Sequence, residues 1–161
     1  MVAASFDGDI NRMDSGSTIL LVDDSVDDVF LFNHYVAKNH LPFKIQVAHD
    51  GTEGMNYMEG KGEFGDREKF PIPNFIISDN NMPGMTGKEF VTWLKADSRY
   101  ASVPTVFFSG TTSSTDVDHA YGKLGVQSYI FKPEEPKKLE HYIKVIFDYW
   151  SICAVPQCKV D

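Results

Sequence analysis

Five short apolar runs alternate with helix-like segments along most of the chain, and this alternation limits the fold more than any other feature of the sequence. The runs are rich in Ile, Val, Phe and Leu, and they lie at Thr18–Val22, Lys44–Ala48, Asn74–Ser78, Val103–Phe108 and Gln127–Phe131. Such runs, separated by helices, are typical of a parallel sheet that is covered on both faces. We therefore predict an α/β fold, a doubly wound sheet of five parallel strands with five helices.

Apolar residues at helical spacing predict which face of each helix packs on the sheet. The first helix is expected to begin after Ser25, which with Asp28 forms a start that resembles a capping box. The predicted inward residues are Val26, Val29, Phe30, Val36 and Ala37 in the first helix, Val117, Ala120, Tyr121 and Leu124 in the helix near Ser113–Leu124, and Leu139, Tyr142, Ile143 and Ile146 in the last.

The two ends of the chain differ from the alternating region. Residues Met1–Ser17 are polar and aperiodic, which predicts a mobile arm before a domain over residues 18–150. Residues 151–161 form a tail that is too short for a helix-turn-helix or an enzymatic output domain. Inside the domain, Gly60–Pro73 mixes Gly, Pro and charged residues and is predicted to be an enlarged surface loop.

The charge balance argues for protein and cation partners. The 161 residues include 15 basic and 23 acidic side chains, for a net charge of −8. Nucleic-acid binding requires clustered Lys and Arg, so we expect no nucleic-acid partner. No apolar stretch approaches the roughly 20 residues that span a bilayer, and we expect a cytoplasmic protein with no membrane partner. Cys153 and Cys158 both lie in the tail and have no predicted role.

Acidic residues follow two of the predicted strands. Asp23 and Asp24 come directly after the first run, and Asp79 follows the third. The carboxyl ends of parallel strands lie at one edge of a doubly wound sheet, so these three acids are expected to converge. Clustered carboxylates raise one another's pKa and are costly to bury unless a cation binds them. The pattern therefore predicts a site for a hard divalent cation.

A hydroxyl and an ammonium follow the last two strands and add a second kind of chemistry. Ser109 follows the fourth run and Lys132 follows the fifth. Together with the acids they suit phosphoryl transfer onto a carboxylate, with Asp79 as the nucleophile, Mg²⁺ on the acidic oxygens, and Ser109 and Lys132 on the phosphoryl oxygens. Mg²⁺ allows two anions to approach that would otherwise repel each other.

Four motifs in order resemble the response-regulator receiver domain of two-component signalling. The motifs are L-L-V-D-D, S-D-N-N-M-P-G-M-T-G, F-F-S-G and Y-I-F-K-P, and the similarity spans about Thr18 to Trp150. The resemblance implies a flavodoxin-like sheet with strand order 2-1-3-4-5. It also implies that Asp79 is the phosphoacceptor, that Asp24 is a direct Mg²⁺ ligand and Asp23 a ligand mainly through water, and that the backbone carbonyl of Asn81 is a further ligand.

The same resemblance assigns roles around the phosphoryl group. Ser109 and Lys132 match the family's hydroxyl and lysine, and Tyr129 matches the aromatic residue that changes rotamer when the hydroxyl moves. Asn81 and Thr111 resemble the two variable positions that tune hydrolysis. The implied activity is self-catalysed phosphorylation and dephosphorylation of an aspartate, without conventional turnover of a substrate.

The loop at Gly60–Pro73 and the ending F-D-Y-W-S-I-C-A-V-P-Q are similar to single-domain response regulators that partner phytochromes and related sensor kinases. The implied partners are a sensor histidine kinase of the phytochrome-like type and an unknown downstream protein, the latter at the face of the fourth helix, fifth strand and fifth helix. Val145, Phe147 and Tyr149 add apolar surface to the last helix, and a homodimer through this helix and the tail is expected. The alternative is a monomer in which the tail covers these side chains.

Three other classes of protein share parts of this pattern. A flavodoxin-like electron carrier has the same fold, but the acids at positions 23, 24, 27 and 28 would repel a flavin phosphate. A haloacid-dehalogenase-type phosphatase also uses an aspartate nucleophile, but typically has a second acid where this chain has Asn81. A pseudo-receiver that signals without phosphate remains the alternative, and the complete set of acids, serine and lysine counts against it.

Overall fold

The computed structural model describes residue 13 and residues 16–156, which form a five-stranded parallel sheet flanked by helices. Numbered by their order in the chain, the strands are arranged 2-1-3-4-5 across the sheet, so the predicted α/β fold and its strand order are confirmed. Most of the predicted arm, residues 1–12 and 14–15, lies outside the described residues, as does Cys158. The strands are β1 (Thr18–Val22), β2 (Lys44–Ala48), β3 (Phe75–Ser78), β4 (Thr105–Ser109) and β5 (Ser128–Phe131).

Five α-helices connect and follow the strands, as predicted. A short 3₁₀ turn lies at Gly62–Gly65, and the fourth helix continues as a π-helical turn over Ala120–Leu124. Within the described part of the chain, no helix is long and apolar enough to cross a membrane. The helices are α1 (Val26–Lys38), α2 (Gly51–Glu59), α3 (Gly87–Ala96), α4 (Ser114–His119) and α5 (Pro136–Ser151).

Two apolar layers bury the sheet from both sides. Every residue of β1 is buried, and successive side chains alternate between the layers, as the pleat of a strand requires. Leu20 and Val22 pack with α2, α3 and the turn after α4. Ile19 and Leu21 pack with α1 and α5. The strand β1 is therefore fixed on both faces, and its carboxyl end is held in one position at the edge of the sheet.

The inward face of α1 differs from the predicted one. Phe32 and Tyr35 are its buried residues, whereas Val26 and Phe30 are 76% and 63% exposed and Ala37 is also exposed. The predicted residues Val29 and Val36 are half-buried against the same layer. Phe32 and Tyr35 are large aromatic residues that pack on the α5 ring of Phe147. The helix is thus rotated so that Phe32 and Tyr35, rather than Val26 and Phe30, face the sheet.

Two tyrosines that were predicted to be inward are exposed. Tyr121 is 50% exposed and Tyr142 is 37% exposed, while the other predicted residues of the α4 and α5 stripes are buried or half-buried. The phenol oxygen of Tyr121 accepts a hydrogen bond of 2.9 Å from the backbone N–H of Tyr129 on the edge strand β5. A tyrosine can keep its polar end in water while its ring packs, which explains why helical spacing alone misplaced both residues.

The segment Gly60–Pro73, predicted to be a surface loop, is anchored to the core. Phe64 is buried, and its ring contacts the rings of Tyr57 and Phe70. The guanidinium of Arg67 donates to the backbone oxygens of Tyr57 at 2.8 Å and Phe70 at 3.1 Å, and it also contacts the oxygen of Met58. These bonds satisfy carbonyl groups at the end of α2. The insertion is therefore a packed element of the fold.

The start of α3 lies unusually close to the loop that follows β3. A Cβ atom added to Gly87 would lie 1.9 Å from the backbone oxygen of Asp79, and the N–H of Gly87 donates to the oxygen of Asn80 at 3.1 Å. Only glycine permits this approach. Thr86 and Glu89 form a capping box that fixes the first turn of α3 at this position.

We expect Gly87→Ala to lower the free energy of unfolding by about 2 kcal/mol, because the methyl group must displace the backbone of Asp79. Gly122→Ala is the matched control, since a Cβ atom there meets no described atom within 4 Å beyond its own helix backbone. Denaturant unfolding of both variants measures the difference. Equal stabilities of the two variants would show that the approach at Gly87 is not a constraint.

Candidate functional site

The carboxyl ends of four strands bring the predicted residues together. Val22, the last residue of β1, lies opposite Ser78 of β3, and the N–H of Asp79 donates to the oxygen of Val22 at 2.8 Å. Ser109 ends β4, and its backbone carbonyl oxygen accepts from the N–H of Lys132 at 2.9 Å. This backbone ladder places an acid, a hydroxyl and an ammonium at one edge of the sheet, as the sequence predicted.

The ammonium of Lys132 contacts three carboxylates at once. Its Nζ atom lies 2.7 Å from Asp23 Oδ2, 2.7 Å from Asp28 Oδ2 and 2.9 Å from Asp79 Oδ2. A lysine ammonium has three hydrogens, so each carboxylate accepts one hydrogen bond. The side chain of Lys132 is only 12% exposed and that of Asp23 only 1%. Charges this buried require partners of opposite charge.

Asp28 is a site residue that the sequence analysis missed. Ser25 caps α1 and accepts from the N–H of Asp28 at 3.3 Å, while the N–H of Ser25 donates to Asp23 Oδ1 at 2.9 Å. The carboxylate of Asp28 binds Lys132 and does not complete the predicted capping box. Asp28 and the buried Phe32 are four residues apart and therefore share one face of α1. The sequence signal that could have identified Asp28 was its position four residues, or about one helical turn, after Asp24.

Three of the acids fit a divalent cation. One carboxylate oxygen from each of Asp23, Asp24 and Asp79 lies within 4.8 Å of the others. Asp23 and Asp79 are buried and Asp24 is exposed, so the cluster opens to solvent on one side. Carboxylate oxygens are the ligands that Mg²⁺ prefers. The predicted ligand role of the Asn81 carbonyl stays a prediction.

Hydrogen bonds join the loops on the two sides of Asp79. The N–H of Asn81 donates to Asp79 Oδ1 at 3.0 Å, and the side-chain amide of Asn81 donates to the hydroxyl of Thr111. The N–H of Thr111 donates to Ser109 Oγ at 3.3 Å. Asp79 therefore has one oxygen on the backbone of its own loop and the other on Lys132. Asn81 and Thr111, which resemble the family's two variable positions that tune hydrolysis, contact each other directly.

Tyr129 connects the site to the edge strand. Its hydroxyl donates to the backbone oxygen of Thr111 over 3.4 Å, and its ring packs between the rings of Phe107 and Phe131. Burial raises the pKa of the Tyr129 phenol, so the hydroxyl stays protonated at neutral pH. Its predicted role as a rotamer switch stays a prediction.

Burial by itself shifts the pKa of Asp23 upward and the pKa of Lys132 downward, because it disfavours the charged form of each side chain. Burial raises the pKa of Asp23 to about 6, against the opposing attraction of Lys132. Burial also disfavours the charged form of Lys132, but the attraction and hydrogen bonds of Asp23, Asp28 and Asp79 outweigh it and raise the pKa of Lys132 above its ordinary value. The lysine is therefore cationic throughout the neutral range, whereas Asp23 is close to titration.

Comparison with known proteins gives one consistent family. The chain matches the response regulator receiver domain over residues 19–144. It is 28% identical over 132 residues to the response regulator Rcp1 of Synechocystis sp.. The aligned region covers 82% of this chain and 87% of that protein.

Solved structures agree with this match. The phosphorylated cyanobacterial phytochrome response regulator RcpA has a TM-score of 0.81 and 29% identity, and the Mn²⁺-bound form of the response regulator Rcp1 has a TM-score of 0.80 and 26% identity. In each case the similarity covers 88% of this chain and 99% of the other.

The raised pKa of Asp23 predicts a pH dependence of stability in the absence of divalent cations. The folded-state pKa of about 6 exceeds the ordinary value of 3.8, so the folded protein binds this proton more tightly than the unfolded chain. The resulting stabilisation is full below the ordinary pKa and is lost as the pH rises through about 6. Asp23→Asn cannot titrate and lacks this contribution.

In EDTA, we expect the free energy of unfolding of the wild type, minus that of Asp23→Asn, to decrease as the pH rises from about 4 to about 7. Denaturant unfolding at several pH values measures this difference, and titrating groups that do not interact with Asp23 cancel in the subtraction. A difference that stays constant or increases with pH contradicts the raised pKa.

Proposed function

Because the chain belongs to the response regulator receiver domain family, we propose that it accepts a phosphoryl group from a sensor histidine kinase onto Asp79 and signals through a protein-binding surface. The contact that carries this proposal is the 2.9 Å hydrogen bond between Lys132 Nζ and Asp79 Oδ2 at the carboxyl edge of the sheet. It places a fixed cation beside the carboxylate of Asp79, whose other oxygen accepts a hydrogen bond from the N–H of Asn81.

The residues of the chain suit an in-line transfer. A carboxylate oxygen of Asp79 attacks the phosphorus of a phosphohistidine, and the bond between phosphorus and the imidazole nitrogen breaks as the nitrogen takes the electron pair. Lys132 neutralises negative charge on the phosphoryl oxygens, and the buried hydroxyl of Ser109 donates to one of them. The hydrogen bond from the N–H of Asn81 orients the carboxylate of Asp79 before the reaction.

Asp23, Asp24 and Asp79 would hold Mg²⁺, with the Asn81 carbonyl as the further ligand. The chemistry that bound Mg²⁺ supplies is charge neutralisation between the carboxylate of Asp79 and the phosphoryl group. The spacing of the three carboxylates within 4.8 Å supports this assignment. The Mn²⁺-bound form of Rcp1, a relative of this chain, also supports it.

The contacts of Ser109 indicate how phosphorylation would reach the surface. Ser109 Oγ accepts from the N–H of Thr111, whose backbone oxygen accepts from the Tyr129 hydroxyl. When the Ser109 hydroxyl turns toward a phosphoryl oxygen, this loop moves with it and the space beside Tyr129 changes. Tyr129 then changes rotamer, and the face formed by α4, β5 and α5 changes with it.

The similarity to RcpA and Rcp1 supports a phytochrome-like sensor kinase as the phosphodonor and a cytoplasmic location for the reaction. The donor must approach the exposed side of the acid cluster, where Asp24 lies. Val26 and Phe30 expose apolar surface on α1 next to this edge and suit contact with the donor.

We expect the wild type to gain one phosphoryl group when incubated with acetyl phosphate and Mg²⁺, and Asp79→Asn to gain none, because the amide is not a nucleophile. Intact-mass spectrometry measures the adduct, and EDTA is expected to abolish it because charge repulsion then opposes the reaction. Wild-type protein that stays unlabelled would instead favour a pseudo-receiver that acts without phosphate. An adduct on Asp79→Asn would place the acceptor elsewhere.

The outer face of α5 supports the proposed homodimer. Val145, Tyr149 and Ile152 are 50%, 56% and 76% exposed and follow one another at helical spacing. Phe147, predicted to be part of this surface, is buried. Val155 is also buried, so the tail does fold back, but residues 152–156 leave Val145 and Tyr149 uncovered.

A second copy of the chain suits this face because an apolar groove lies beside the exposed side chains of Val145, Tyr149 and Ile152, which form a ridge. The groove has a volume of about 300 Å³ and is lined by Ile130, His141, Tyr142, Val145 and Ile146. Across a two-fold axis, the ridge of one copy can occupy the groove of the other, which is the self-complementary arrangement that symmetric dimers require.

We expect sedimentation at micromolar concentration to show a dimer whose affinity changes on phosphorylation. Val145→Glu is expected to give monomers, because it places a charge in the apolar contact. Phe30→Glu is the matched control, since Phe30 is similarly exposed but lies on α1. A monomer for the wild type, both phosphorylated and unphosphorylated, rules the dimer out.

A further inference from the structure

We propose that Asp28 is a positioning residue for Lys132. Asp28 keeps its hydrogen bond to the Lys132 ammonium when a divalent cation binds the oxygens of Asp23 and Asp79. This inference rests on the proposed function, because it concerns the same cation site. It adds a fourth acid to that site and assigns it a task that the other three cannot perform.

The contacts of Lys132 separate its three partners into two kinds. Asp23 and Asp79 belong to the group of carboxylates that can share a cation, and Asp28 does not. All three are within 2.9 Å of the ammonium. A cation bound to Asp23 and Asp79 competes with Lys132 for their oxygens and repels the ammonium as well. Asp28 is then the one carboxylate of the three that remains free to hold it.

Burial gives this remaining contact its importance. The side chain of Lys132 is 12% exposed and its Nζ atom lies 5.9 Å from the centre of the Phe108 ring. An ammonium that lost all three carboxylates here would be poorly solvated, which is costly. Cation binding without Asp28 would have to overcome this cost. Asp28 therefore favours cation binding although it does not touch the cation.

The position of Asp28 is fixed by the fold. Ser25 caps the first turn of α1 through the N–H of Asp28, and Phe32, one turn later on the same face, is fully buried. The carboxylate of Asp28 is itself only 17% exposed. With one hydrogen of Lys132 held by Asp28, the two others point to the space around Asp79 and are available for a phosphoryl oxygen.

The test measures Mg²⁺ affinity in the unphosphorylated full chain by isothermal titration calorimetry. We expect Asp28→Asn to weaken Mg²⁺ binding about tenfold, as substitutions of groups that orient a metal site commonly do. Asp27→Asn is the matched control, because Asp27 lies in the same helical turn and carries the same charge but is exposed. Asp28→Ser is a second substitution, so that a folding defect of one variant does not decide the result. Equal affinities of the Asp27 and Asp28 variants would overturn the proposal.

A second background separates positioning from simple charge. In Lys132→Gln there is no ammonium to hold, so Asp28→Asn is expected to have no larger effect on Mg²⁺ affinity than Asp27→Asn. A full tenfold loss in this background would show that Asp28 acts through its charge alone, and the proposal would be wrong. This double-mutant cycle isolates the coupling between the two side chains.

The outcome is distinguishable from a failure of the proposed function. If the wild type is phosphorylated on Asp79 but Asp28→Asn binds Mg²⁺ as tightly as Asp27→Asn, this inference fails and the proposed function stands. If the wild type is not phosphorylated, the proposed function fails, and the Mg²⁺ titrations alone decide the role of Asp28.

Discussion

The hydrogen bonds of one buried ammonium hold the functional edge of this protein together. Lys132, at the end of β5, binds acids that come from the ends of β1 and β3 and from the first turn of α1. Removal of one partner from a buried group of charges typically destabilises a protein by several kcal/mol, because the other charges are left uncompensated. Four separate segments of the chain must therefore meet within hydrogen-bond distance of a single nitrogen atom.

The same interaction makes the site ready to respond. Three carboxylates contact one ammonium and the carboxylate of Asp24 lies within 4.8 Å of two of them, so the cluster keeps an excess of negative charge that a divalent cation can neutralise. In the proposed arrangement, a bound cation would compete with Lys132 for the oxygens of Asp23 and Asp79. The loops around Asp79 are tied to each other by Asn81 and Thr111 and to α3 by the close approach at Gly87. Under the proposed function, a change at Asp79 would be transmitted through contacts that have little freedom to relax.

The sequence predicted the residues at the strand ends better than the orientation of the helices. Asp79, Ser109 and Lys132 could be placed together because carboxyl ends of parallel strands share one edge of a sheet. The predicted inward face of α1 was wrong because Asp28 is an acid on the face that is actually inward. Only the ammonium of Lys132, from the distant β5, makes its burial tolerable. Tyr121 was misplaced for a related reason, since its phenol oxygen bonds the edge of β5. Long-range polar contacts of this kind leave no periodic signal in a single chain.

A crystal structure of the protein with Mg²⁺ and beryllofluoride, which mimics the phosphoryl group, would test this account most directly. The account predicts the cation on oxygens of Asp23, Asp24 and Asp79 and the fluoride group on Asp79. Lys132 Nζ should have left Asp23, kept Asp28 and gained a fluorine atom as its new acceptor. A structure in which Lys132 remains on Asp23, or in which it releases Asp28 on binding the fluoride group, would contradict it.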